Sequence, residues 1–248
     1  SQQRLDEIMA ELLSWYTRTS ATKREILSIV GKLIFVSRVV RAGRTFVRRM
    51  LDRAHSIPYL HYKVKLGNEF RLDIMWWMKF LPTWNGKSMF FEEDWISSVH
   101  MHLFTDASNL AASGYYEGEW FVVPFVLDLA WMLQMSINWR EMFAIVVAAA
   151  TFGKQWSGKR IMLHCDNQCV VNVISSGSSK SADLMILVRE LFYISAAFNF
   201  EVSCCYVNTK LNCIADSLSR LQFDRFFSLA PSANKNMTFP CFNMIPVS

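Results

Sequence analysis

Apolar positions recur at helical spacing through the first part of the chain and change to strand-like runs after about residue 100. In residues 3–16, Leu5, Ile8, Met9, Leu12, Leu13 and Tyr16 fall three and four apart, which sets them along one face of a helix. Residues 20–40 continue the pattern behind Ser20 and Thr22, two candidate caps, and 44–54 and 69–80 predict two more helices, the last carrying Trp76 and Trp77. A turn-like stretch at 82–86 and the acidic cluster Glu92, Glu93 and Asp94 close this region. It is predicted to be a mainly helical domain over 1–95.

From there the period shortens. Residues 101–108 read as a strand ending in an acid, 110–116 and 119–125 as a hairpin around Glu117-Gly118, and 138–156 as a long apolar helix. A strand at 160–165, helices at 168–175 and 182–199, a strand at 200–207 and a short helix at 212–220 follow. Three strands, a helix, a strand, two helices, a strand and a helix make an α/β domain over 96–227, with a mixed five-stranded sheet flanked by helices. The tail, 228–248, contains Pro231, Pro240 and Pro246 and is predicted to be irregular; no internal repeat is visible.

A hydrophobic content of 52% is enough to fill a core, and argues against disorder. The net charge of +5 is unevenly spread: residues 1–95 hold sixteen Lys and Arg against ten Asp and Glu, and the remainder holds ten against eleven. The basic excess concentrates between Lys23 and Arg53, where Arg41, Arg44 and Arg48 are candidate phosphate contacts; a solvated helix face is the alternative. Six cysteines form no CxxC pair and have no His at zinc-ligand spacing, so they read as small buried hydrophobes in a reducing, intracellular setting, cytoplasmic or nuclear. Residues 1–14 lack the pattern of a signal peptide, and the longest apolar stretch, 121–137, is broken by Pro124 and Asp128, so no membrane segment is expected. Beginning at Ser1 rather than Met, the chain reads as a fragment of a longer protein.

Four acids stand where this topology would gather them: Asp106 ending the first strand of the second domain, Glu141 early in the long helix, Asp166 after the fourth strand and Asp216 in the last helix. If the first and fourth strands are neighbours, Asp106 and Asp166 meet at their ends. Clustered carboxylates repel one another unless a cation neutralises them, and an oxygen-only donor set suits Mg²⁺ or Mn²⁺. Two such ions support hydrolysis of a phosphodiester. Each acid also has a plainer explanation, as a turn residue, a cap, a helix-dipole partner or a solvated position. His100, His102 and His164 flank the strands and read as packing or surface residues.

LFTDASNLAASGYY, NWREMFAIVVAAATF, LHCDNQCVVNVISSG and NCIADSLSR resemble, in order and spacing, the four motif blocks of the ribonuclease H domain of Gypsy-like and DIRS-like retrotransposon reverse transcriptases. TKREILSIVGKLIFVSRVVRAGRTFVRRM and DIMWWMKFLPTWNGKSMF resemble the thumb and connection region that precedes it in DIRS-like elements. The resemblance covers about residues 1–227 and implies cleavage of the RNA strand of an RNA/DNA hybrid. It implies that Asp106, Glu141, Asp166 and Asp216 hold two Mg²⁺ or Mn²⁺ ions, and that Ser108, Asn109, Asn167 and Gln168 lie near the hybrid. Polymerase palm and fingers are implied elsewhere in the same parent polyprotein, since no Tyr-x-Asp-Asp strand occurs here.

One position departs from the family. Where members commonly have His ten residues before the last acid, within His-Val-Pro-Gly, this chain has Tyr206-Val207-Asn208-Thr209. Tyr does not shuttle protons near neutral pH as His does, so slower turnover is expected. That departure and the basic helices motivate a second reading, a module that grips the hybrid without cutting it. An integrase-like nuclease of similar topology is a third reading, which the ADSLSR block argues against.

Overall fold

A computed structural model describes residues 2–37, 43–83, 95–97 and 103–241. The chain divides into two compact units, Ser1–Phe90 and Phe91–Ser248. The strand at 95–97 therefore belongs to the second unit, ahead of the boundary expected at 95. Arg41, His100, His102 and the acidic cluster 92–94 lie outside the described residues.

The first unit contains α1 (Gln2–Thr17), β1 (Ser20–Thr22), α2 (Lys23–Ser37), α3 (Gly43–His55), β2 (Lys63–Lys65) and α4 (Asn68–Phe80). Leu12, Trp15, Ile26, Ile29, Leu33, Phe46, Met50, Ile74 and Trp77 are buried in it. Trp76 stacks between Phe46 and Phe80, with ring centroids at 3.8 and 5.0 Å. β1 pairs antiparallel with β2, with Ala21 opposite Val64, so the region holds a small sheet besides its helices. Ser20 does not cap the helix, since α2 begins at Lys23, directly after Thr22. Thr22 does: its Oγ1 accepts from Glu25 N at 3.2 Å, while Glu25 Oε2 accepts from the Thr22 amide and hydroxyl, both at 2.8 Å. This capping box starts α2 at Lys23, and its bonds from Thr22, helped by Arg18, hold Glu25 below the usual carboxylate range.

In the second unit follow β3 (Trp95–Ser97), β4 (Leu103–Ala107), β5 (Ala111–Tyr116), β6 (Glu119–Pro124), α5 (Ile137–Phe152), β7 (Arg160–Cys165), α6 (Gln168–Ser176), α7 (Ala182–Phe198), β8 (Glu201–Tyr206), α8 (Cys213–Ser219) and α9 (Phe223–Leu229). The architecture is mixed α/β. The strands form two three-stranded sheets rather than the expected single sheet of five: antiparallel β4-β5-β6 and parallel β3-β7-β8. β7 takes β3 as its neighbour, with Trp95 opposite Arg160 and Ser97 opposite Met162, whereas β4 pairs with β5. Glu117 and Gly118, with φ of 47° and 93°, make the two-residue turn of the β5–β6 hairpin, which needs positive φ at both positions. At Gly114 a Cβ would stand 2.4 Å from the Phe121 ring, so the bare backbone admits that side chain into the core.

α5 is buried on nearly every side, as a helix apolar all round must be, and packs against β4, β5 and α7. Ser136 caps it by accepting from Trp139 N at 3.2 Å. Its expected last turn, Gly153–Trp156, is a 3₁₀ helix. The apolar run 121–137 is divided between β6 and the 3₁₀ helix Leu127–Gln134. No helix among the described residues is long and apolar enough to cross a membrane.

The described part of the tail, 231–241, has no regular element and is mostly exposed, but it is tied to the β5–β6 hairpin. α9, which the sequence pattern did not suggest, buries Phe226 against Tyr115 and Trp120. Beyond it, Asn234 N donates to Gly118 O and Thr238 N to Trp120 O, each at 2.8 Å, and Trp120 Nε1 donates to Asn234 O at 2.8 Å.

In the first unit, Asp73 is almost fully buried and accepts from Arg49 Nε at 3.1 Å, while Arg49 also pairs with Glu69. Burial pushes Asp73 up to about 7 against the pull of Arg49. Arg49→Ala strands this carboxyl and is expected to cost about 3–5 kcal/mol of stability. Denaturant unfolding followed by tryptophan fluorescence measures the loss, and an unchanged midpoint contradicts the ion pair's role.

Candidate active site

β4 delivers Asp106, and α8 fixes it in place. Ser219 Oγ, at the end of α8, donates to Asp106 Oδ2 at 2.5 Å. Ser108 Oγ donates to Ser219 O at 2.7 Å, Ser113 Oγ to Ala215 O at 3.0 Å, and Asn212 Nδ2 to Thr105 O at 2.9 Å. These bonds fasten α8 across β4 and β5, so the orientation of Asp106 is set by residues about a hundred positions away in sequence.

Glu141 lies just past the first turn of α5, and Asp166 directly follows β7. Ligand-type atoms of Glu141, Cys165 and Asp166 all lie within 4.8 Å of one another. Burial, reinforced by the charges of Asp166 and Asp106, pushes Glu141 up to about 8. Burial likewise pushes Asp106 up to about 6; Asp166 and Asp216 add to the rise, while Ser219 and Arg220 oppose it. Three of the four acids expected to meet are thus within electrostatic reach of each other.

Asp216 is placed differently. It accepts from Arg220 Nε at 2.6 Å and Arg225 Nη1 at 3.1 Å; like Asp106 it stands outside the 4.8 Å group, and Asp106 senses its charge. The Arg220 partner lies four residues on along the chain, a spacing readable in the sequence. Arg225 reaches back from α9 and carries no such signal.

Carboxylates repelling one another in a partly buried place fit a divalent cation that prefers oxygen donors. Cys165 stands in the same group; a hydrogen bond with Cys204, then burial, push its thiol up, and it donates to Glu141 Oε2 at 3.7 Å. Glu141 and Asp166 are the carboxylates that would hold Mg²⁺ or Mn²⁺, with Asp106 close enough to interact with both charges.

The polar residues near the acids divide by role. Ser108 makes its own turn, accepting from Leu110 N at 2.9 Å, and Asn109 is exposed at the tip, its Oδ1 held by Arg140 Nη1 at 2.9 Å. Arg140, which also donates to Ser108 O at 2.7 Å, is a buried clamp on this turn that sequence reasoning missed. Asn167 caps α6, its Oδ1 accepting from Cys169 N at 2.9 Å, while its Nδ2 donates to Asn138 Oδ1 at 2.7 Å. Gln168 is exposed and bonds to Asn172 at 3.1 Å. Tyr206 is 55% exposed at the end of β8, opposite Cys165. His164 is half-buried on β7, with Nε2 2.5 Å from Ser97 Oγ. In the first unit, Arg44 is exposed and Arg48 pairs with Asp52 at 3.3 Å.

A carboxyl whose pKa is raised on folding stabilises the protein below its unfolded value and loses that contribution as pH climbs through the folded value. For Glu141 the window runs from about 4.5 to about 8. In chelator, the melting temperature is expected to fall across that range, and Glu141→Gln should flatten the fall. Mg²⁺ should restore stability most strongly at the alkaline end. Scanning fluorimetry against pH reads all three effects, and a melting temperature independent of pH in chelator contradicts the arrangement.

Compared with protein-family models, curated proteins and solved structures, the chain has no match in any of the three.

Proposed function

We propose that the second unit is a ribonuclease H-type endonuclease that hydrolyses the RNA strand of an RNA/DNA hybrid, as part of a retrotransposon reverse transcriptase. The observation that carries this reading is that Glu141 and Asp166, from α5 and the end of β7, meet in one partly buried place, with Asp106 from β4 near enough for its charge to raise Glu141. Capping or turn chemistry gives no reason for carboxylates from three distant stretches to raise one another's pKa. The matching fold, a five-stranded mixed sheet, requires β3 and β4 to act as one strand serving both three-stranded sheets. Their pairing senses, parallel to β7 and antiparallel to β5, are compatible with it.

Two Mg²⁺ or Mn²⁺ ions, when bound, supply Lewis acidity and an activated water. The chain's own residues do the rest. Ser219 keeps Asp106 oriented, and Cys165 and Asn167 direct hydrogen bonds toward Glu141. The exposed amides of Asn109 and Gln168 are available to ribose hydroxyls in the shallow minor groove, the feature that separates RNA from DNA.

Asp106→Asn should lower hydrolysis of a labelled hybrid by at least about 100-fold, the scale of losing one electrostatic contact with the transition state, while leaving the chain folded. The assay compares hybrid, duplex RNA and duplex DNA in Mg²⁺, Mn²⁺ or chelator; cleavage by the variant at the parent rate refutes the reading. Two observations favour the alternative, a module that binds hybrid without cutting it: Asp216 is tied to Arg220 and Arg225, and Tyr206 stands where the resembled family has His. It predicts salt-sensitive binding with no divalent-dependent fragments.

A further inference from the structure

The first unit carries a surface that the nuclease reading does not use. Between α3 and β2 the chain closes a tight turn, Tyr62 N donating to Tyr59 O at 3.1 Å. The turn is fastened to the start of α2: Lys23 N donates to Tyr62 O at 3.2 Å, Arg24 N to Leu60 O at 3.0 Å, and Lys23 Nζ to Ile57 O at 2.7 Å. A turn held at three points is a fixed platform. Yet it presents its rings to solvent, with Tyr59 57% and Tyr62 47% exposed and their centroids 5.0 Å apart. His61 completes the cluster, 4.8 Å from Tyr62.

Cations surround these rings. β2 follows the turn at once, and its alternating exposure puts Lys63 and Lys65 on one outward side. Arg53 Nη2 donates to Lys65 O at 3.0 Å, which brings a guanidinium beside them, and Arg24 is exposed at the turn's other flank. Among the described residues no carboxylate pairs with Arg24, Arg53, Lys63 or Lys65. The nearby acids are engaged elsewhere, Glu25 with Thr22 and Arg18, and Asp52 with Arg48.

We infer that this surface binds an unpaired nucleic-acid strand, its bases stacking on Tyr59 and Tyr62 and its phosphates meeting Lys63, Lys65 and Arg53. Rings exposed at this cost in solvation offer flat faces to any base, and unneutralised cations beside them suit a polyanion. A duplex hides its base faces, so the rings select against it. A folded protein partner would have to bring carboxylates to every cation and gains nothing from the ring geometry in particular.

The test is fluorescence anisotropy on the full chain in chelator, with labelled oligo-dT, oligo-rU and a blunt duplex of equal length. Tyr59→Ala and Tyr62→Ala should each weaken single-strand binding roughly 5- to 150-fold and leave duplex binding unchanged, while Tyr59→Phe and Tyr62→Phe retain it. Lys63→Ala and Lys65→Ala should each reduce the salt slope by about 0.7. The dT and rU arms show whether DNA or RNA is preferred. Single-strand binding unaffected by both Tyr→Ala changes, equal loss in the Phe variants, or no binding at all would overturn the inference. Because divalent ions are absent, the result stands apart from the outcome of the cleavage assay.

Discussion

Like charges held together away from water need something stronger to keep them there, and in the second unit that is the burial of α5. Most of this helix is buried, and it packs against β4, β5 and α7, so its position admits little adjustment. Glu141 is carried on it as a passenger. Burying the apolar side chains around it contributes on the order of 1.5–3 kcal/mol each, and their sum readily outweighs the repulsion and desolvation of a few carboxyls. The raised proton affinities of Glu141 and Asp106 come first from that burial and then from the neighbouring charges.

α8 supplies the second part of the arrangement. It is too short to be stable alone and is held by side chains that bond across to β4 and β5, among them Ser219 on Asp106 and Asn212 on Thr105. The same helix carries Asp216, whose charge is balanced by Arg220 and Arg225. A site of three partly buried acids with a fourth acid close by concentrates negative charge, and Arg220 and Arg225 balance part of it.

The first unit is organised by other means. A buried Arg49–Asp73 pair and the stacked rings of Phe46, Trp76 and Phe80 bind α3 to α4, and the capping box at Thr22 and Glu25 fixes where α2 begins. Its basic character was visible as a count of charges. The count did not separate Arg48, which is spent on Asp52, from Lys63 and Lys65, which stand beside exposed tyrosines.

Periodicity determined most of the local structure: the helices of the first unit, the hairpin at Glu117-Gly118, the buried α5, and the cap at Thr22. These depend on neighbours a few residues apart, which is what a sequence records directly. The order of elements also singled out Asp106, Glu141, Asp166 and Asp216 as one set. Only the tertiary structure decided that Asp216 turns to Arg225, that Cys165 rather than a fourth carboxyl stands beside Glu141, that Arg140 clamps the Ser108–Asn109 turn, and that β7 takes β3 as its neighbour. Each of these joins residues far apart along the chain, and which of several chemically equivalent partners is chosen follows from how the apolar faces pack.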